Sequence, residues 1–258
     1  MLPTYLFNSW GEIRSSILSS KHLCILLDFD GTLAPIMKRP DVVQLPPATK
    51  ETLRELSDGK RCFIGVVSGR ALSDVKNRVG LNGIFYAGNH GLEIEGPNIK
   101  FTPPVNADIL YALQEVRDSL QSILGEIEGV FIEDKGLTLS VHYRLLPEDK
   151  VEWVFQRIYG EAEQWDCLTF SQGDKIIEVR PAVDWNKGNA AEFIIRTVNC
   201  NALPIFIGDD VTDEDAFRKM KNGLAVAVMC KPRQTSAKYY LRNPLEVNTL
   251  LRKITEII

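Results

Sequence analysis

No apolar stretch in this chain of 258 residues approaches the ~20 residues that a membrane helix needs, so a bilayer-spanning helix is not expected. The first twenty residues lack a basic start followed by a long apolar run. Asn8, Glu12, Arg14 and several serines interrupt them, which argues against a secretory signal peptide. Excess positive charge is also missing: 30 Lys and Arg face 34 Asp and Glu, a formal net charge of −4. A nucleic-acid partner is therefore not expected, although a small basic pocket for an anionic substrate remains open. Paired cysteines are absent too. Cys24, Cys62, Cys167, Cys200 and Cys230 all lie more than four residues apart, outside zinc spacing. Their odd number without a leader points to reduced thiols in a cytoplasmic setting, each expected as a small buried apolar side chain. No repeat, low-complexity segment or heptad pattern occurs, so a monomer is the default expectation.

What is present is an alternation of short apolar runs and helical spacing. Cys24 to Phe29, Phe63 to Val67 and Ile84 to Ala87 read as buried strands, each ending near glycine or serine. Pro47 to Leu56 and Ala71 to Val79 read as helices between and after them. This rhythm predicts a parallel sheet with helices on both faces. It changes near Pro103-Pro104. A helix through Ile109, Leu113, Val116, Leu120 and Ile123 precedes strands at Val130 to Glu133 and Leu137 to Tyr143. A helix at Val151 to Ala162 precedes strands at Leu168 to Phe170 and Lys175 to Val179. After Pro181 the first rhythm returns, with a helix at Asn189 to Val198 and strands at Leu203 to Ile207 and Leu224 to Val228. The fold class is therefore α/β: a Rossmann-like parallel-sheet core, residues 1–103 and 183–258, interrupted by an α+β domain at 104–182. The segment Leu2 to Ile17 is amphipathic through Tyr5, Leu6, Trp10, Ile13 and Ile17, and packing on the core is its expected role.

Four constellations carry chemistry. In Asp28-Phe29-Asp30-Gly31-Thr32, two carboxylates two residues apart on an extended chain face one space, at the strand end where open α/β sheets bind ligands. Such a pair repels itself unless a cation or proton is near, and hard oxygen ligands suit Mg²⁺. In Ser68-Gly69-Arg70, a hydroxyl and freed N–H groups after a strand suit a phosphoryl oxygen, or Ser68 is simply a helix N-cap. Lys187, at the start of a helix, has the charge to neutralise phosphate or a carboxylate, or it is an exposed surface lysine. The run Gly208 to Asp215 places five acids in eight residues, fit for metal binding, for capping a helix, or for both.

In this order the four motifs resemble the haloacid dehalogenase-like (HAD) phosphatase superfamily, and the insert between the second and third matches its larger α/β cap type. The resemblance implies Asp28 as nucleophile on phosphorus, through an aspartyl-phosphate, and Asp30 as acid and then base. It implies Mg²⁺ held by Asp28, the main-chain carbonyl of Asp30 and Asp209. Ser68 and Lys187 would hold phosphoryl oxygens, and Asp213 would orient the site. Asp210 is equally a candidate for the metal-binding acid, since the sequence does not separate it from Asp209.

Further pieces resemble the trehalose-6-phosphate phosphatases: Gly88-Asn89-His90-Gly91, Glu133-Asp134-Lys135-Gly136, Val141-His142-Tyr143-Arg144 and Ile177-Glu178-Val179-Arg180-Pro181. This resemblance implies sugar recognition by Glu133, Lys135 and Glu178, with Gly69, Arg70, Asn89, His90 and Arg144 as further substrate contacts. The alternative for Lys135 and Glu178 is a cross-strand surface pair; for His90, a loop histidine bonded to backbone; for Arg70, pairing with a core carboxylate. The resemblance also raises association with a trehalose-6-phosphate synthase. A closing cap hinged at Pro103-Pro104 and at 181–184 would exclude water during transfer. Competing readings are a phosphatase for a glycosyl-glycerate phosphate or sucrose phosphate, a sugar phosphomutase, and a non-catalytic sensor, which would have lost an acid that this chain keeps.

Overall fold

A computed structural model describes residues 2–37, 39–173, 175–198 and 201–258. The chain divides into two compact units, residues 1–101 with 185–258, and residues 102–184.

The first unit begins with β1 (Thr4–Tyr5) and α1 (Trp10–Ser19). The amphipathic reading of this segment holds: Leu6, Ile13 and Ile17 lie wholly inside the core, with Trp10 packed against it. β2 (His22–Leu27) follows, buried at every position after His22, as a strand covered on both faces must be. Its alternate residues serve opposite layers. Leu23, Ile25 and Leu27 join one apolar cluster, and Cys24 and Leu26 join the other. α2 (Pro47–Asp58) opens with proline in its first turn, where the missing N–H costs nothing. Then come β3 (Cys62–Val67), α3 (Leu72–Val79), β4 (Phe85–Gly88) and a hairpin not anticipated from sequence, β5 (Glu93–Gly96) with β6 (Ile99–Phe101).

The second unit contains α4 (Ala107–Leu124), β7 (Phe131–Asp134), β8 (Leu139–His142), α5 (Glu148–Ala162), β9 (Leu168–Gly173) and β10 (Ile176–Pro181). The strands form an antiparallel sheet in the order β7-β8-β10-β9. One face carries Leu139, Val141, Ile177 and Val179, packed against Val116, Leu120 and Ile158 of the two helices. β8 is shorter than expected. A turn closed by the Leu146 N–H on the Tyr143 carbonyl, at 3.1 Å, ends it at His142, ahead of Pro147, which caps α5. Arg144 therefore lies in this turn, exposed, and not on the strand.

The first unit resumes with α6 (Lys187–Val198), β11 (Ala202–Gly208), α7 (Glu214–Lys219) and β12 (Leu224–Val228). Two further elements were not read from sequence, β13 (Tyr239–Leu241) and α8 (Pro244–Thr255). The sheet order is β1-β13-β12-β11-β2-β3-β4-β5-β6, parallel from β1 through β4. β11, β2 and β3 are thus adjacent and point the same way. Asp209, Asp28 and Ser68 follow their last residues, so the topology gathers three distant motifs at one sheet edge. Among the described cysteines, Cys24 and Cys62 are buried as expected, Cys167 is half-buried and Cys230 is exposed. Cys200 lies outside the described residues. No helix among the described residues is long and apolar enough to cross a membrane.

Candidate active site

Asp28 continues β2 and donates its main-chain N–H to the Ile207 carbonyl at 2.9 Å, which fixes it beside β11. Its carboxylate is buried and accepts from Lys187 Nζ at 2.8 Å. The same ammonium donates to Asp213 Oδ1 at 2.8 Å. Lys187 is itself buried, so the surface-lysine alternative is excluded. Burial opposes its charge, but Asp213 and Asp28 more than compensate and hold the ammonium firmly protonated.

Carboxylate oxygens of Asp28, Asp209 and Asp213 lie within 4.8 Å of one another. Burial pushes the Asp28 carboxyl well above the ordinary range; Lys187 pulls it down, and Asp213 and Asp209 push it up again. Burial, then Asp213, raise Asp209 to about 7. Three acids with one lysine leave this cluster short of positive charge. The donors are hard oxygens, and this deficit is what a divalent cation would fill, so the residues fit a divalent metal ion. Gly31, at φ +78°, is required here on two counts. Its backbone is left-handed, and a Cβ would sit 2.1 Å from Asp209 Oδ2. Thr32 Oγ1 donates to Asp209 Oδ1 at 3.3 Å.

The acidic run divides its labour. Asp210 is exposed, and its carboxylate accepts from the Val211 N–H at 2.7 Å, capping the turn before α7. Asp213 Oδ2 accepts from the Asp210 N–H at 3.0 Å. Asp209 and Asp213 thus face the cluster while Asp210 caps.

Asp30 is placed differently from Asp28. Its two carboxylate oxygens accept from Arg70 Nη2 and Nε, both at 2.7 Å. Arg70 also donates to Asp74 at 2.9 Å, and Asp74 accepts from Arg78 Nε at 2.7 Å. Arg70 is thus paired with carboxylates of the first unit, as one of its two expected roles requires. The Asp30 carboxylate is not part of the acid cluster. Ser68 is not a helix cap: α3 starts at Leu72 behind Ala71, and Ser68 Oγ instead accepts from the Arg70 N–H at 3.2 Å.

The turn after β4 braces this loop. Asn89 N–H donates to the Arg70 carbonyl at 2.7 Å, and His90 N–H to the Ser68 carbonyl at 3.0 Å. Both residues are left-handed, at φ +49° and +56°. A Cβ on Gly69 would lie 2.6 Å from the His90 ring, so only glycine lets the two loops meet. Trp185 Nε1 donates to the Gly91 carbonyl at 2.7 Å, tying the same turn to the residues before Lys187.

In the second unit, the sheet register puts Glu133 and Glu178 on either side of Ser140, with Ser171 beyond Glu178. This is the polar face, opposite the core. Glu178 Oε1 accepts from Lys135 Nζ at 3.0 Å and from Ser140 Oγ at 3.3 Å. His142 Nε2 lies 2.8 Å from Glu133 Oε2. The side chains of Lys135 and Glu178 are 6% and 11% exposed, so this is no surface pair. Ser140 went unmarked in the sequence because only strand pairing places it beside the two glutamates.

A parallel sheet that ends in a buried aspartate held by lysine, a facing serine loop and an acid cluster defines a HAD-type phosphoric monoester hydrolase. The comparisons narrow the class. The family profile described as trehalose-phosphatase matches residues 26–244. A probable trehalose-phosphate phosphatase 3 from Oryza sativa subsp. japonica is 34% identical, over 96% of this chain and 74% of its own length. The chain belongs to the trehalose-phosphatase family. The C-terminal domain of Candida albicans trehalose-6-phosphate phosphatase superposes with a TM-score of 0.81 at 23% identity, covering 100% of this chain and 99% of that one. A trehalose-6-phosphate phosphatase related protein gives 0.79 at 26% identity, covering 91% and 97%.

Proposed function

We propose that the protein hydrolyses trehalose 6-phosphate to trehalose and inorganic phosphate, with Asp28 as nucleophile and Mg²⁺ as cofactor. The observation that carries the chemistry is the buried Asp28 carboxylate, oriented by Lys187 and backed by Asp209 and Asp213. An oxygen of Asp28 attacks phosphorus, the bond from phosphorus to the sugar oxygen breaks, and an acyl phosphate forms on Asp28. Asp30 protonates the departing sugar oxygen, then takes a proton from the water that attacks phosphorus and frees Asp28. Both Asp30 oxygens accept from Arg70, which orients the carboxylate and leaves a lone pair on each oxygen for the proton. Ser68 and Lys187 hold phosphoryl oxygens, and the braced 88–91 turn keeps the Ser68 loop in place. Asp28, the main-chain carbonyl of Asp30 and Asp209 would hold Mg²⁺, whose contribution is to offset the charge between a carboxylate and a phosphate dianion. Asp213 keeps Lys187 in position.

The substrate reading is supported by the family and by the polar row Glu133, Ser140, Glu178 with Lys135. Carboxylates accept hydrogen bonds from sugar hydroxyls, and Lys135 donates to them. We assign this row to the glucose that carries no phosphate.

The test is phosphate release across a panel of trehalose 6-phosphate, sucrose 6-phosphate, glucosyl-glycerate phosphate and simple hexose phosphates, with Mg²⁺ or EDTA. Trehalose 6-phosphate is expected among the best substrates, and only with the metal. Trehalose 6-phosphate falling outside the best substrates overturns the substrate reading. Asp28→Asn should abolish turnover while leaving the melting temperature near wild type; a variant with unchanged turnover removes Asp28 as nucleophile.

A further inference from the structure

The loop after β12 takes no part in the chemistry above, yet it is tied to the acid cluster. Arg233 Nη2 donates to the main-chain carbonyl of Asp209 at 2.9 Å. Arg233 Nη1 lies 3.6 Å from Glu214 Oε1, at the head of α7. The Glu214 carboxylate in turn accepts from Thr235 Oγ1 at 2.6 Å and from the Ser236 N–H at 2.7 Å. Two carboxyl-terminal loops of the sheet, 24 residues apart at Asp209 and Arg233, are thereby fastened to each other through one guanidinium and one carboxylate.

We propose that Arg233, steadied by Glu214, is a positioning residue for the cation site: by holding the main chain at Asp209 it holds the Asp209 carboxylate where a divalent ion needs it. This rests on the reading that Asp209 binds Mg²⁺. Asp209 needs such an anchor. Its carboxylate sits beside Asp28 and Asp213, and the charges of Asp213 and Asp210 repel it. Thr32 Oγ1 donates to it at 3.3 Å, a long contact for an O–H donor. A charged donor on the carbonyl of the same residue is stronger than a neutral one and fixes the point from which the side chain projects. Contacts of this kind around a metal ligand typically alter metal affinity by 10–100-fold. The competing account is a surface ion pair between Arg233 and Glu214, which would matter little because the arginine side chain is 41% exposed. That account ignores the carbonyl, whose bond to Arg233 is the shorter contact by 0.7 Å, 2.9 against 3.6 Å.

The experiment is calorimetric titration of MgCl₂ into the EDTA-treated, dialysed full chain, beside melting curves of the metal-free proteins. Arg233→Ala is expected to raise the Mg²⁺ dissociation constant about tenfold. Arg233→Lys, which keeps the charge but not the fork, should recover part of that loss. Glu214→Gln should fall between wild type and Arg233→Ala. Variants with a lower metal-free melting temperature but wild-type Mg²⁺ affinity would assign Arg233 a purely structural role and overturn the inference. Should Arg233→Ala not fold, the other two variants decide in the same way, and unchanged affinity in both overturns it. A wild-type protein that binds no Mg²⁺ would instead sink the cation reading itself, together with this inference.

Discussion

Lys187 is the residue whose removal reveals most about the site. It is the shared donor to two buried carboxylates, and without it Asp28 and Asp213 face each other in a medium that penalises charge. Breaking a buried pair by deleting one partner costs roughly 3–5 kcal/mol, so Lys187→Met is expected to lose about that at pH 8. The pH dependence follows from Asp28. Burial already raises its carboxyl, and loss of the neighbouring ammonium raises it further. A folded acid with a raised pKa binds protons that the unfolded chain releases, so its penalty is full above the folded pKa and shrinks as pH falls. The deficit relative to wild type, measured by urea unfolding in EDTA, should therefore be smaller at pH 5 than at pH 8. An equal or larger deficit at pH 5 would contradict this electrostatic account. The residue scale also shows where sequence reading stops. An acid pair ending an apolar run is visible in the letters, whereas the capture of Asp30 by Arg70, across 40 residues, is not.

Among the elements, α1 makes the clearest energetic prediction. Ile13 and Ile17 are wholly buried on one side of this helix, while Leu18 is 43% exposed on the other. Truncating a fully buried isoleucine removes its transfer energy and leaves a cavity. Ile13→Ala should thus cost about 2–5 kcal/mol in guanidinium unfolding, and Leu18→Ala roughly 0.5 kcal/mol or less. Similar losses for both would mean that α1 is not part of the core. Its burial was legible because helical spacing of apolar residues is a local signal. β13 and the β5–β6 hairpin were missed for the opposite reason. They are strands of three or four residues, too short for a period to show, and they exist because a neighbouring strand offers unpaired hydrogen bonds. α8 carries its own start signal, Asn243 capping before Pro244, with Val247, Leu250, Leu251 and Ile254 at helical spacing.

For the whole molecule, the division into two units makes a physical claim about independence. Residues 102–184 close an apolar cluster of their own, in which Leu113, Val116, Leu120, Leu139, Val141, Ile158 and Ile177 are almost entirely buried. A segment that fills its own core satisfies the condition for folding alone. Expressed by itself, it should give a cooperative thermal transition by circular dichroism, with dispersed amide resonances in NMR. A broad melt without a baseline would show that its core depends on the rest of the chain.

Composition, apolar runs and motif order determined the α/β class, most helices and strands, and the chemical types gathered at the strand ends, because each of these is written in neighbouring residues. Pairing across the sheet decided the rest. Only the β11-β2-β3 order brings Asp209, Asp28 and Ser68 to one edge. Only strand register sets Ser140 between Glu133 and Glu178, and only chain reversal lets Arg233 reach the Asp209 carbonyl. Contacts between residues far apart in sequence depend on how the chain is wound, and no local pattern of letters encodes that winding.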